Sequence, residues 1–145
     1  MSIQEKQDRI VRAFQALGDW QERYKYIVEL GRKLEPIDDK YKVEENLVRG
    51  CQSQVWLIAD MDDNKVIFRA DSDAAITKGL VALLLKFYSG EEPDTILSTK
   101  PEFIDEIGMR EHLSPTRSNG LSSMVKQMKI YAMAFKSKQE QTEKA

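Results

Sequence analysis

The sequence contains one cysteine, Cys51, and one histidine, His112, in 145 residues. A single cysteine excludes a disulfide within the chain and is typical of a reducing compartment, so we expect a cytoplasmic protein. Structural zinc and iron–sulfur sites each need about four soft ligands, mostly thiolates and imidazoles. The chain supplies too few such ligands by itself, so we expect no metal site and no resident cofactor.

An excess of charge and a long apolar run are also lacking. The 22 basic and 24 acidic side chains give a net charge of −2, whereas nucleic-acid-binding surfaces are strongly basic. The longest apolar stretch, residues 79–85, is far shorter than the roughly 20 residues that span a membrane. The residues that follow Met1 are polar and lack the apolar segment of a secretory signal. We therefore expect neither nucleic acid nor a membrane among the partners.

Two short runs rich in β-branched and aromatic residues predict a hairpin. They are residues 55–59 and 65–70, and the polar segment 60–64 between them is expected to form the loop. Leu47 and Val48 are expected to pair as a third strand. In the second run apolar and polar residues alternate, so one face of the sheet should be buried. A sheet of this size is marginal alone and needs a helix to cover that face.

The covering helix is predicted over residues 74–88, which are apolar on most sides. Apolar residues at helical spacing predict flanking helices, the first over residues 3–17 and the last ending near Phe135. The predicted fold is therefore α+β, with a small antiparallel sheet of about three strands packed on a central apolar helix. We expect one domain over residues 1–137 and a disordered tail over residues 138–145, which carry no apolar stripe.

Cys51 lies in a predicted loop just before the first strand. Gly50 precedes it and permits a positive φ and a close approach of another molecule's backbone. Gln52 and Ser53 follow it, and their polar side chains would be costly in a dry core. A lone cysteine in a soluble protein is often a small buried hydrophobe. From the spacing alone, a reactive loop thiol and a buried structural thiol both stay open.

The same segment resembles a known family. Residues 50–56 read Gly-Cys-Gln-Ser-Gln-Val-Trp and are similar to the signature of the SufE family, the sulfur-acceptor proteins of cysteine desulfurases. Three further blocks match that family in the same order, at residues 26–34 (YIVELGRKL), 70–80 (ADSDAAITKGL) and 112–121 (HLSPTRSNGL). The resemblance covers nearly the whole chain and shows no departure at the cysteine motif.

The resemblance implies a function as well as a fold. The fold would be similar to that of SufE proteins and of iron–sulfur scaffold proteins. Cys51 would take the sulfane sulfur of a persulfide from a pyridoxal-phosphate-dependent cysteine desulfurase, stimulate that enzyme, and carry the sulfur as a transient persulfide. An iron–sulfur assembly scaffold or another acceptor would then receive it. The protein would be a sulfur-transfer accessory protein rather than a stand-alone enzyme, as a monomer or homodimer.

Several residues near the motif are candidates for a supporting or docking role. Arg117 would lie near Cys51 and lower the pKa of the thiol, or alternatively form a surface ion pair. His112 would assist, or alternatively pack before the Ser114 helix start. Asp71 and Asp73 would contribute to a docking rim, or alternatively serve as acids at a helix N-terminus. The full set of supporting candidates is Arg49, Gly50, Gln52, Ser53, Asp71, Asp73, His112 and Arg117.

Two other classes of function compete with sulfur transfer. One is a thiol enzyme, such as a one-cysteine peroxidase or a thiol hydrolase. A hydrolase would need an orienting carboxylate or amide and an oxyanion hole, and no known arrangement of that kind is visible in the sequence. The other is a binding module in which Cys51 is inert.

Overall fold

The computed structural model describes residues 1–144 and has seven helices and one antiparallel hairpin in that range. In chain order the elements are α1 (Ile3–Gln15), α2 (Trp20–Arg32), two short 3-10 turns (Asp39–Tyr41 and Glu44–Asn46), β1 (Val55–Asp62), β2 (Lys65–Ser72), α3 (Ala75–Tyr88), α4 (Pro93–Ser98), α5 (Phe103–Glu106), α6 (Met109–His112) and α7 (Pro115–Lys144). The α+β class predicted from the sequence is confirmed.

The first two helices begin where the sequence offers side-chain caps. Ser2 Oγ accepts a hydrogen bond from the Glu5 N–H at 3.1 Å and so caps α1. Asp19 Oδ1 accepts one from the Glu22 N–H at 2.9 Å and caps α2. A side-chain oxygen at this position satisfies one of the free N–H groups of the first turn, which stabilises a helix by about 1 kcal/mol.

The hairpin is longer and its turn is shorter than the sequence predicted. The two strands pair in register from Val55 opposite Ser72 to Asp62 opposite Lys65. The predicted five-residue loop is wrong, because the turn consists only of Asp63 and Asn64, with φ of 49° and 66°. Two positive φ values match the tight turn whose twist suits a hairpin, and Asp and Asn tolerate them better than most residues.

The expected third strand is reduced to an isolated bridge. Leu47 pairs with Trp56 alone, and the Val48 N–H donates to the Val55 carbonyl oxygen at 2.8 Å. The chain turns away after Val48 because the next residues form the cysteine loop. Within residues 1–144 the sheet therefore has two strands rather than about three.

The core forms where α3 covers the buried face of the hairpin. Val66, Phe68 and Ala70 are buried along β2 and belong to the same apolar cluster as Leu84 and Phe87 of α3. The period-2 alternation read from the sequence is thus confirmed, since the residues between them are more exposed. The central helix begins at Ala75, close to the predicted start.

Two glycines let α2 and α3 approach each other closely. A Cβ atom at Gly79 would lie 2.0 Å from the Ile27 carbonyl oxygen, and one at Gly31 would lie 2.8 Å from the Gly79 nitrogen. The helices therefore touch backbone to backbone at these positions. The contact fixes the position of α3, whose first turns carry part of the functional site.

The last helix packs along the molecule and extends into the predicted tail. Tyr131 donates its hydroxyl to the Leu57 carbonyl oxygen at 3.1 Å, which joins α7 to β1. The helix continues to Lys144. A disordered tail over residues 138–145 stays a prediction, and Ala145 lies outside the described residues.

Candidate functional site

The cysteine loop is fastened at its base by backbone and side-chain hydrogen bonds, and its tip has fewer of them. At one end the Val48 N–H donates to the Val55 carbonyl oxygen at 2.8 Å. At the other end Gln54 is bonded to residues that lead into α3: its N–H donates to Asp73 Oδ1 at 3.0 Å, and its carbonyl oxygen accepts from Ser72 Oγ at 2.8 Å. Residues 49–53 lie between these fixed points. Their conformation can therefore change without breaking the hairpin.

Cys51 is half-buried and points toward α7. Its thiol donates a hydrogen bond to the Gly120 carbonyl oxygen, with 3.4 Å between Sγ and O. Burial raises the pKa of the Cys51 thiol above its ordinary value, because the thiolate loses hydration. In the free protein the sulfur is therefore held as a protonated thiol.

Gly50 allows the loop to reach α7. Its φ is +92°, a conformation that L side chains rarely adopt, and a Cβ atom there would lie 2.4 Å from Ser123 Oγ. The backbone angle favours glycine, and any other residue would also have to displace the Ser123 hydroxyl. The expectation of a positive φ at Gly50 is confirmed. The close neighbour is the Ser123 side chain of the same protein, so an approach of another molecule's backbone stays a prediction.

A cavity of about 390 Å³ opens beside Cys51. It lies between the cysteine loop, the first turns of α3 and the N-terminal turns of α7. Its walls are polar for the most part, with one guanidinium group and two apolar side chains. The lining residues are Cys51, Gln52, Ser53, Thr77, Leu80, Ser114, Thr116, Arg117, Gly120 and Met124.

Arg117 lines the same cavity as Cys51, which is compatible with the first of its two expected roles. Its backbone N–H donates to Ser114 Oγ at 3.2 Å, so that Ser114 caps the start of α7, and its side chain is exposed. The expected lowering of the thiol pKa is not observed in the free protein. Burial is the cause of the shift in the pKa of Cys51, and the shift is upward.

Asp73 fastens the loop instead of capping α3. Its carboxylate accepts from the Gln54 N–H, and its own N–H donates to the Gln54 carbonyl oxygen at 3.3 Å. The position before α3 is taken by Ala74, which offers no side-chain hydrogen bond to the helix. Asp73 therefore lies just before α3, as the alternative of an acid near a helix N-terminus expects, but it does not cap the helix. Its side chain is exposed, so a role in docking stays a prediction.

Asp71 is buried and paired. Its carboxylate lies 3.2 Å from Lys42 Nζ and 3.2 Å from Lys78 Nζ, and it accepts from the Ser72 N–H at 2.8 Å. Burial alone would raise the pKa of this carboxyl, yet the Ser72 N–H and the two ammonium groups hold it below its ordinary value. With 5% of its surface exposed, Asp71 is placed to hold the strap of residues 39–46 and α3 against the sheet. A docking role for it stays a prediction.

The remaining candidates fall into two groups. Arg49 and Gln52 are exposed on the cysteine loop, and Ser53 lines the cavity. His112 lies on α6, where its ring stacks on Trp20 with 4.2 Å between the ring centroids. That contact matches the packing alternative for His112, and a supporting role stays a prediction.

Sequence reasoning missed several residues that line the cavity, among them Thr77 and Gly120. Thr77 lies on the first turn of α3 and Gly120 on the second turn of α7, both within blocks that resemble the family. Gly120 could have been noticed in the sequence, because glycine inside a helix lowers the stability of the helix by about 1 kcal/mol relative to alanine. A Cβ atom there would lie 3.5 Å from Cys51 Sγ, an ordinary van der Waals contact, so α7 packs directly against the cysteine at this position although space alone does not require glycine.

Within residues 1–144, no group of three or more His, Cys, Asp or Glu side chains is arranged to hold a metal ion. None of the helices in that range is both long and apolar enough to cross a membrane.

Comparison with known proteins identifies the family. The sequence model of the family described as "SufE: Fe-S metabolism associated domain" matches residues 8–132, which is most of the chain. The chain belongs to the SufE family. This SufE-family protein is 42% identical over 127 residues to an uncharacterised SufE-like protein of Synechocystis, covering 88% of this chain and 80% of that protein.

Two further comparisons extend the match. SufE-like protein 1 of Arabidopsis thaliana, described as chloroplastic/mitochondrial, is 40% identical over 137 residues; the match covers 94% of this chain but 37% of that longer protein. A solution structure of a hypothetical protein from Thermus thermophilus has the same fold, with a TM-score of 0.74 at 24% identity over 89% of this chain and 94% of that one. Family membership associates this SufE-family protein with iron–sulfur metabolism.

Proposed function

We propose that this SufE-family protein accepts sulfane sulfur from a pyridoxal-phosphate-dependent cysteine desulfurase onto Cys51 and passes it to iron–sulfur cluster assembly. The observation that carries the proposal is the placement of Cys51. The only thiol of the sequence lies at the tip of a loop that is fastened at both ends, beside an open cavity. Family membership supports the same function. The protein acts as an accessory that stimulates the desulfurase.

The reaction is a thiol–persulfide exchange. The Cys51 thiolate attacks the outer sulfur of the persulfide on the partner's cysteine, and a bond forms between the two sulfurs. The bond between that outer sulfur and the partner's cysteine sulfur breaks, and the partner's thiolate leaves with the electron pair. The Cys51 proton ends on the thiolate released. The rate depends on the thiolate fraction of Cys51 and on access to it.

The resting geometry protects the thiol between turnovers. The bond from Cys51 to the Gly120 carbonyl oxygen and the raised pKa keep the sulfur protonated and poorly nucleophilic. This state also disfavours a peroxidase function, which needs a thiolate in the free protein. Docking then releases the loop tip, with Gly50 as the flexible position. Residues 49–53 swing outward while Val48 and Gln54 stay bonded.

The surface around Cys51 is the docking face for the desulfurase. Two cysteine sulfurs must come into contact for the transfer, so whatever surrounds Cys51 faces the partner. Arg49, Gln52 and Asp73 are exposed next to the loop, and Arg117 is exposed across the cavity. Charges at such a rim set the association rate and its salt dependence more than the final affinity.

The substitution Cys51→Ser tests the proposal. The thiol makes one weak hydrogen bond at 3.4 Å and is half-buried, so the serine variant should stay within about 1 kcal/mol of the wild type in folding free energy. It should lose all stimulation of the desulfurase, measured as the rate of alanine formation from cysteine. A matched control moves the thiol within the loop, as Cys51→Ser combined with Ser53→Cys, and should also fail to stimulate. Stimulation by the serine variant at the wild-type level would refute the proposal.

A further inference from the structure

Thr77 is the least expected member of the cavity beside Cys51. It lies on the first turn of α3 with 8% of its surface exposed, and it lines the cavity. Among the described residues its hydroxyl has no hydrogen-bond partner. The fully buried side-chain atoms without a partner in the described part of the chain are Gln7 Nε2 and Arg23 Nε, so the Thr77 hydroxyl is not sealed in the core but open to the cavity. It is free to donate a hydrogen bond to a polar ligand there.

The other polar groups in the cavity point to an anion. Arg117 lines it with a guanidinium that forms no ion pair among residues 1–144. Ser53, Ser114 and Thr116 add three hydroxyl groups to the same walls. The lining contains no carboxylate, so the only formal charge facing a ligand is positive. Guanidinium and hydroxyl groups together suit an oxyanion, because each can donate to a different oxygen.

Two side chains form the apolar part of the cavity wall. Leu80 and Met124 are 1% and 2% exposed, and both line the cavity together with Cys51. A soft sulfur atom tolerates such surroundings, whereas an oxygen of an oxyanion does not. The combination fits a molecule with a sulfur at one end and an oxyanion at the other. The cavity, of about 390 Å³, has room for a small ion of this kind with some of its water.

We propose that the cavity binds thiosulfate, or a small thiosulfonate, as a second sulfur donor that loads Cys51 without the desulfurase. The inference rests on the proposed function of Cys51 as a sulfur acceptor and adds a second class of substrate. Arg117 and Thr77 hold the sulfonate oxygens. The terminal sulfur lies toward Cys51, against Leu80 and Met124.

The transfer balances without an added oxidant or reductant. The Cys51 thiolate attacks the terminal sulfur of thiosulfate, and a sulfur–sulfur bond forms on Cys51. The bond between the terminal and central sulfurs of thiosulfate breaks, and sulfite leaves with the electron pair. The products are the Cys51 persulfide anion and sulfite, so the total charge of the reactants is kept. The Cys51 proton is lost to water before the attack, and because burial raises the pKa of this thiol, only its small thiolate fraction reacts in the free protein.

The test is to incubate the reduced full-length protein with thiosulfate and no desulfurase. We expect the intact mass to increase by one sulfur atom, Cys51→Ser to gain none, and sulfite to appear in equal amount. A parallel sample receives a desulfurase and cysteine. If that sample is loaded while the thiosulfate sample is not, the inference is overturned and the proposed function stands. If only the thiosulfate sample is loaded, the inference is supported and the proposed desulfurase partner is wrong.

Two variants ask whether the reaction uses this cavity. Thr77→Val removes the hydroxyl at nearly constant shape, and Arg117→Gln removes the positive charge. Each should raise the thiosulfate concentration needed for half-maximal loading by about tenfold, since a hydrogen bond or ion pair to an anion is lost. Thr77→Ser keeps a hydroxyl and should restore loading. Thr95→Val on α4 and Arg12→Gln on α1 are matched controls outside the cavity, and they should load as the wild type does.

Thermal melting checks that the two cavity variants are folded. If Thr77→Val does not fold, Arg117→Gln and Thr77→Ser still carry the test. Loading of Arg117→Gln at the wild-type thiosulfate dependence would mean that the reaction bypasses the cavity, and it would overturn the inference.

Discussion

The close contact between α2 and α3 gives the sharpest prediction about stability. In Gly79→Ala the new Cβ atom would lie 2.0 Å from the Ile27 carbonyl oxygen and 2.5 Å from its Cγ2 atom. Comfortable non-bonded contacts between carbon atoms are about 3.5–4.0 Å, so the helices must separate by an amount on the order of 1 Å. The obstacle is backbone, which cannot rotate away as a flexible side chain would.

The magnitude follows from two opposing effects. Overpacking a rigid contact costs about 1–3 kcal/mol and occasionally more, and a backbone clash lies at the upper end. Replacing glycine by alanine inside a helix by itself raises the free energy of unfolding by about 1 kcal/mol. We therefore expect Gly79→Ala to lower the free energy of unfolding by about 2 kcal/mol or more.

Urea unfolding, followed by circular dichroism, measures this change. Gly18→Ala is the matched control, because a Cβ atom there meets nothing within 4 Å. The control should be neutral or slightly stabilising. The reasoning about the α2–α3 contact fails if Gly79→Ala is as stable as Gly18→Ala.

Three further predictions concern Cys51 and the two aspartates. Because burial raises its pKa, Cys51 in the free protein should be alkylated slowly near pH 7, and the midpoint of the rise in rate with pH should lie above that of free cysteine. Adding a desulfurase blocked at its own cysteine should speed alkylation, and equal rates would argue against a mobile loop. Asp73→Arg should change the association rate with the desulfurase, and the change should be larger at low salt than at high salt. The charge reversal Arg12→Glu on α1 should change that rate much less. Equal effects of the two substitutions would place the docking face elsewhere. The pKa of Asp71 is lowered by folding, so its contribution to stability is present above the ordinary value of 3.8 and is lost as the pH falls through the lower folded value. Asp71→Asn should therefore be less stable near neutral pH and lose less stability in acid, as followed by urea unfolding at several pH values, and parallel pH profiles for the two proteins would contradict this.

Local patterns predicted the elements of the fold well. The alternation of Val66, Phe68 and Ala70 gave the buried face of the sheet, and the apolar run that ends at Tyr88 gave the central helix, because burial selects side chains with the period of each element. The hairpin turn was misjudged at Asp63 and Asn64. Both residues favour loops in general, and only their positive φ values distinguish a tight turn from a longer one.

Only the part of the site that lies in one continuous segment of the chain could be predicted from the sequence. Cys51, with Gly50 before it and polar residues after it, was recognisable as a loop thiol. Its contact with Gly120 spans 69 residues, and no spacing rule reports a contact at that separation. The same holds for Thr77, which reaches the cavity only because α3 folds back over the hairpin. The bond between Asp73 and Gln54 was missed because it also depends on tertiary structure.

The central claim is that sulfur arrives on Cys51. The most direct measurement incubates the reduced protein with a cysteine desulfurase and cysteine, then determines the intact mass and the mass of the peptide that contains Cys51. The account predicts a gain of at least one sulfur atom on that peptide, reversed by a reductant, with no gain in Cys51→Ser. An unchanged mass of the wild-type protein, under conditions in which the desulfurase turns over cysteine and carries its own persulfide, would contradict it.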